Sequence, residues 1–142
     1  MNNHLASIPF HLMRQLFQEH TAQWQKSMPE LTKQQYAVLC AVAEQPGIEQ
    51  MDLTDAAIST KATLAEMLLR MEKRGLLLRK AGVSDRRRRY IYLTAEGEKV
   101  LQLAQPVAKD VDMTFLSRIS SAEQQVLVRL LQQMVSEQQC DQ

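Results

Sequence analysis

Residues 59–94 read STKATLAEMLLRMEKRGLLLRKAGVSDRRRRYIYLT. The first half carries Leu64, Leu68 and Met71 at helical spacing, with Thr60 placed to cap and Gly75 placed to stop. The spacing predicts a helix over 60–74 that buries this stripe. It turns Lys61, Thr63, Glu66, Met67 and Arg70 to or near the other side. The second half changes period. Leu76 to Lys80 reads as a strand, Gly82-Val83-Ser84-Asp85 as a tight tip, and Arg89 to Leu93 as the returning strand. Alternation sets Ile91 and Leu93 on one face, with Tyr90 and Tyr92 on the other. A two-stranded hairpin is marginal alone, so this one has to lean on helices.

Charge gathers on the same stretch. Between Ala56 and Tyr92 stand ten basic residues and three acidic ones, a local net of +7 in a chain whose total is +1. Four of the ten are consecutive, Arg86 to Arg89. A basic middle on an acidic frame suits a localised polyanion. It also suits a solvated charged face.

Upstream, residues 49–57 form a short helical pattern with Met51, Leu53 and Ala57 inward. Ile58-Ser59 is a very short link to the next helix, so the two cross steeply in a helix-turn-helix. Before them, Thr32 and Gln35 are spaced as a capping box, and Leu31 and Tyr36 as a hydrophobic staple. That helix runs through Leu39, Cys40 and Val42 to Pro46-Gly47. Residues 5–27 place Leu5, Ile8, Leu12, Met13, Leu16, Phe17 and Trp24 on one stripe, with Pro9 in the first turn.

Downstream, Thr94-Ala95-Glu96-Gly97 starts a helix whose stripe is Val100, Leu101, Ala104, Val107, Ala108, Val111, Phe115 and Leu116. Pro106 inside it should kink it. Ser120 and Glu123 form a second capping box. The last helix carries Val126, Leu127, Leu130, Leu131, Met134 and Val135. The expected fold is mainly α with one small β-hairpin: a single domain over 1–142. A lobe of three helices and the hairpin is expected at about 32–93, flanked by terminal helices at about 5–30 and 94–138. The apolar stripes of the terminal helices need a partner, and the simplest is another copy.

Composition excludes several classes. Apolar residues make up 45% and charged residues 23%, the mix of a folded globular chain. No apolar run is long enough for a membrane span. The N-terminus lacks a basic start followed by an apolar core, which points to the cytoplasm. Cys40 reads as a buried structural thiol and Cys140 as incidental on a loose tail. The three histidines show no ligand spacing, and no nucleophile–base pair, P-loop or dinucleotide fingerprint is present. Neither cofactor, metal nor enzyme activity is expected.

The chain resembles the MarR family of bacterial winged helix-turn-helix transcriptional regulators over essentially its whole length. Asp85-Arg86-Arg87-Arg88-Arg89-Tyr90-Ile91-Tyr92-Leu93-Thr94 is similar to the family's D-x-R wing ending in V-x-L-T. Met71-Glu72-Lys73-Arg74-Gly75-Leu76-Leu77 is similar to its L-E-x-K-G-L. The stretch from Ile48-Glu49-Gln50 through Met67 is most similar to the HosA type, a group associated with hydroxybenzoate-type ligands. Two positions depart from the pattern. Ile58 stands where the turn often carries glycine, and Glu66 where the recognition helix often carries arginine or another polar group.

The resemblance implies double-stranded DNA as partner, a homodimer and a small aromatic carboxylate effector. On that basis Thr60, at the helix start, faces phosphate, and Lys61 and Thr63 reach phosphate or base edges. Glu66 accepts from a cytosine amino group or pairs with Arg70, and Ala62 or Met67 touches a thymine methyl. Arg70 binds backbone phosphate. The wing carries Arg86 and Arg87 to a narrow minor groove. Asp85 orients Arg87 by resemblance, and either arginine can be the one inserted. Arg88 and Arg89 read as phosphate clamps. Candidates for the effector site are His11, Arg14, Phe17, His20, Trp24 and Tyr36, with arginine to hold a carboxylate and aromatic walls to stack a ring. For Phe17 and Trp24 the other reading is dimer core. The competing function is a winged-helix module for a protein or RNA partner.

Overall fold

The computed structural model describes residues 4–57 and 60–137. Ile58, Ser59 and Cys140 therefore lie outside the described residues. A 3-10 turn at His4–Ser7 leads into α1 (Pro9–Ser27), then α2 (Lys33–Glu44), β1 (Ile48–Glu49), α3 (Gln50–Ala56) and α4 (Lys61–Lys73). β2 (Leu77–Ala81) and β3 (Arg89–Leu93) form the wing, and α5 (Ala95–Leu116) and α6 (Ser121–Glu137) complete the chain. The helix expected from residue 5 starts instead at Pro9, which occupies the first helical turn where its missing N–H has no partner to lose.

Local signals explain most boundaries. The Thr32 hydroxyl accepts the Gln35 N–H at 3.1 Å and Gln35 Oε1 accepts the Thr32 N–H at 3.0 Å, a reciprocal box. Ser120 and Glu123 repeat it at α6, with bonds of 2.8 and 3.2 Å. At the end of α4, Gly75 takes φ +76°, and the Gly75 and Leu76 amides donate to the Glu72 and Met71 carbonyls. That is the paired 5→2 and 6→1 closure that a left-handed glycine permits.

The sheet has three antiparallel strands in the order β1-β3-β2, where a two-stranded hairpin was expected. β3 pairs with β2 from Leu77↔Leu93 to Ala81↔Arg89, and with β1 at Ile48↔Ile91 and Glu49↔Tyr90. Gly47, at φ +82°, turns the chain into β1 and donates its N–H to the Ile91 carbonyl at 2.9 Å. The third strand covers one edge of the hairpin and ties the wing to the start of α3.

One core cluster gathers Val38, Leu39, Leu53, Leu64, Leu68, Met71, Ile91 and their neighbours from every element between α2 and β3, and Leu101 and Ala104 of α5 join it. Leu53 and Ala57 point inward as expected, but Met51 is 64% exposed, because α3 is too short to bury two faces. Cys40 is a free, half-buried thiol packed against this cluster, rather than a fully buried one. A second, small cluster joins Trp24 of α1 to Ala108 and Val111 of α5. The Trp24 indole N–H donates to the Leu31 carbonyl at 2.7 Å. Beyond Trp24, the stripe expected on α1 stays uncovered: Leu5, Leu12, Leu16 and Phe17 are exposed. α6 shows the same pattern, with Val126, Leu130, Leu131, Met134 and Val135 all exposed. Among the described residues no helix is long and apolar enough to cross a membrane.

One joint fixes the wing to α5. The Thr94 hydroxyl donates to the Gly75 carbonyl and accepts the Gly97 N–H at 3.0 Å, while the Thr94 amide donates to the Leu76 carbonyl at 3.1 Å. A Cβ on Gly97 would lie 2.1 Å from the Leu76 oxygen, so only glycine admits this approach. The run Leu93-Thr94-Ala95-Glu96-Gly97 is thus a mechanical fastening as well as a helix start.

Candidate nucleic-acid interface

α4 presents two faces. Leu64, Leu68 and Met71 are buried, and Lys61, Ala62, Thr63, Glu66 and Arg70 are exposed. Met67, expected on the outer side, is half-buried and packs against the core, so only part of its side chain is offered outward. The Thr60 hydroxyl accepts the Thr63 N–H at 3.2 Å and donates to the Thr63 hydroxyl at 2.9 Å. Thr60 is therefore occupied by capping, and the Thr63 hydroxyl keeps its own proton to give. Glu66 and Arg70 meet at 2.9 Å on the open surface. An exposed pair of this kind contributes about 0.3–0.5 kcal/mol, little enough for DNA to open it. The sequence reading passed over Leu69, which is 46% exposed on the same helix.

The wing tip is closed by its backbone. The Gly82 N–H donates to the Arg88 carbonyl at 3.0 Å and the Arg88 N–H to the Asp85 carbonyl at 3.2 Å. Asp85 Oδ1 accepts the Arg87 N–H at 3.0 Å and its Nε–H at 3.3 Å. The four arginines differ in surroundings. Arg86 has no side-chain partner among the described residues. Arg87, tethered at its root, still has a side chain that is 94% exposed. Arg88 stands 3.7 Å from the Glu49 carboxylate and 3.9 Å from Asp85. Its pKa is raised further by the Tyr90 hydrogen bond and then by Glu49. Arg89 donates to the carbonyls of Arg86 and Arg88. Glu49 is a functional candidate that the sequence did not disclose. Its partner lies across the sheet, beyond the reach of local spacing.

The six candidates for an effector site do not come together in one place. Arg14 and Phe17 line a shallow groove along α1 with Phe10, Met13, Gln18 and Thr21, about 560 Å³ in volume. Trp24 and Tyr36 line a separate recess of about 370 Å³ between α1, α2 and α5, with Lys33, Gln105, Ala108, Lys109 and Asp112. His11 belongs to neither. His20 stands between the two. Its Nε2 is 2.7 Å from Asp112 and its Nδ1 is 3.2 Å from the Lys33 ammonium. Lys33 can only donate, so Nδ1 accepts and Nε2 carries the proton to Asp112. The Lys33 ammonium also lies 5.8 Å from the centre of the Phe17 ring, and the Trp24 and Tyr36 rings are 5.2 Å apart. Burial lowers the pKa of Lys33 against the pull of Asp112. Burial, then a hydrogen bond with Cys40, pushes Tyr36 up to about 12. The recess thus combines cations and aromatic walls, and His20 holds two of its lining residues, Lys33 and Asp112. Lys33 and Asp112 enter it from helices the sequence reading did not connect with His20.

The chain is similar to known proteins over most of its length. A model of the MarR family matches residues 31–88. The transcriptional regulator HosA of Escherichia coli O157:H7 is 57% identical over 132 residues, covering 93% of this chain and 98% of that protein. The homoprotocatechuate degradative operon repressor of Escherichia coli is 31% identical over 106 residues, 75% of this chain and 72% of its own length. Among solved structures, BpsR of Bordetella bronchiseptica, whose DNA binding is regulated by 6-hydroxynicotinic acid, superposes with a TM-score of 0.85 at 29% identity. The match covers 92% of this chain and 94% of that one.

Proposed function

The chain belongs to the MarR family of DNA-binding transcriptional regulators, and from that premise we propose a homodimeric repressor released from a pseudo-palindromic operator by a small aromatic carboxylate. The observation that carries the DNA half is the division of α4. Its apolar side is locked into the core, while Lys61, Ala62, Thr63, Glu66 and Arg70 are free to enter a major groove behind the capped Thr60. Part of Met67 remains for a thymine methyl. Arg86 and Arg87 extend to the neighbouring minor groove, with Asp85 fixing the second of them. Two such heads read half-sites about one helical turn apart. The exposed stripes of α1 and α6 support the pairing, since a stable monomer rarely leaves two long apolar faces in water.

For the effector, the recess at Trp24 and Tyr36 offers ring-stacking walls, with Lys33 and Lys109 for a carboxylate, and His20 holds Lys33 and Asp112 at its edge. Arg14 and Phe17 extend that site along α1, and His11 stands outside it. The relatives support the ligand class: one represses an operon for degrading an aromatic acid, and another is regulated by one. Binding favours a state whose two heads no longer match the operator.

The test is a footprint on the promoter region upstream of the protein's own gene, followed by titration with 4-hydroxybenzoate and salicylate. A protected pseudo-palindrome that is released by either acid is expected. Protection that neither acid lifts would remove the effector half and leave the DNA half standing. Arg87→Ala should weaken operator binding strongly and flatten its salt dependence by about one unit of slope. Unchanged affinity and slope would take Arg87 out of the interface.

A further inference from the structure

The four wing arginines are chemically identical and adjacent, yet among the described residues Arg88 alone of them pairs with a carboxylate outside the wing. Glu49 is held in β1 opposite Tyr90, with a side chain only 23% exposed. A half-buried carboxylate seeks a cation, and Arg88 is its ion-pair partner at 3.7 Å. Asp85 divides its two oxygens: Oδ1 holds Arg87 at 3.3 Å and Oδ2 faces Arg88 at 3.9 Å. Next in sequence to Glu49, the Gln50 Oε1 atom is buried without a hydrogen-bond partner. Glu49, Gln50 and Asp85 line one recess of about 560 Å³ together with Arg87, Arg88 and Arg89. Two carboxylates therefore flank the Arg88 guanidinium, and the buried Gln50 oxygen, next in sequence to Glu49, is costly until a donor reaches it.

We propose that Arg88 is a positioning residue whose guanidinium braces the wing against Glu49 at the β1–α3 junction, setting the angle at which Arg86 and Arg87 meet DNA. This deepens the DNA-binding reading and rests on it for its functional consequence. Of the four arginines, Arg86 and Arg87 are then the groove-facing pair, Arg88 is the strut, and Arg89 closes the tip on its own carbonyls.

The strut and simple electrostatics predict opposite signs for one substitution. Glu49→Gln removes a negative charge close to the wing, which by charge alone tightens binding to any duplex. If Glu49 braces the wing, the same change weakens binding. The measurement is affinity for a short A·T-rich duplex across a salt series, for wild type, Glu49→Gln, Arg88→Gln, their double mutant and Arg86→Gln. The expected result is a several-fold loss for each of the first two and no further loss in the double mutant, since both break one contact. The salt slope should stay unchanged in Glu49→Gln, while Arg86→Gln lowers it by about one unit. Tighter or unchanged binding by Glu49→Gln, or additive losses in the double mutant, overturns the strut.

A second measurement needs no DNA. Glu49→Gln keeps every arginine and lysine, so its trypsin sites match those of wild type. Cleavage after Arg86 and Arg87 should accelerate several-fold in the folded variant, and an unchanged rate overturns the strut. If wild type shows no salt-dependent binding to the duplex, the DNA-binding reading fails, and the trypsin rates still decide the strut.

Discussion

Between Leu31 and Leu93 the apolar side chains meet one another, while along α1 and α6 they meet water. Leu39, Leu53, Leu64, Leu68 and Ile91 are fully buried within a region of about sixty residues. α1 buries Trp24 alone, and α6 keeps Val126 to Val135 largely open. Both regions are amphipathic, so the sequence pattern by itself does not separate them. What separates them is company. The helices of the lobe are short, and all of them feed one core cluster. The terminal helices are long, and α1 is covered mainly where Trp24 meets α5. A long stripe beside few neighbours stays half-covered, and the homodimer proposed above would cover it. Each large apolar side chain then buried contributes roughly 1.5–3 kcal/mol.

Three substitutions test that contrast, in falling order of effect. Leu68→Ala opens a hole in the crossed core and should lower stability by about 3 kcal/mol in urea unfolding. A loss below about 1 kcal/mol would mean that the lobe repacks freely and is not the tight body described. Leu130→Glu with Met134→Glu, both on open α6, should leave helix content unchanged while sedimentation equilibrium moves from dimer to monomer. Should this variant unfold as severely as Leu68→Ala, the terminal helices are part of the monomer's own stability and the contrast breaks.

The smallest effect is a pH dependence at the border of the two regions. Tyr36 is raised from 10.0 to about 12 by burial and its bond with Cys40. Below pH 10 both folded and unfolded chains keep the phenol proton, and the contribution to stability is fully present. As pH rises from 10 to 12 the unfolded chain gives the proton up first, so that contribution is lost. Tyr36→Phe should make alkaline unfolding shallower in this window, with the late phenolate absent from the ultraviolet titration. Identical alkaline profiles would show that Tyr36 is solvated like an ordinary tyrosine.

What the sequence disclosed was governed by distance along the chain. The Thr32–Gln35 and Ser120–Glu123 boxes, the Gly75 stop and the buried stripe of α4 are set by residues three or four apart, and all are present. The family signature in the wing was legible for the same reason, since Asp85 and Arg87 are near neighbours. β1 was missed because two residues carry no alternation to detect. Met51 was placed inward by a helical spacing that a seven-residue helix cannot enforce. His20 was singled out, but Asp112 lies 92 residues away and Lys33 on another helix, so its network could not be read. Glu49 stayed silent until the sheet brought it to Arg88. In each of these the deciding partner is supplied by the fold.

The fastening of Thr94 and Gly97 to Gly75 and Leu76 makes α5 a lever arm. One end is bolted to the wing. The other reaches Asp112, the residue that holds His20, fifteen residues further along a single helix and so about 22 Å away. A tilt of about 5° around the Asp112 end carries the bolted end through about 2 Å, most of the length of a hydrogen bond. On the function proposed above, a small molecule that wedged α1 from α5 would need only a slight opening to put Arg86 and Arg87 out of register with a groove, and no residue of the wing would need to touch it.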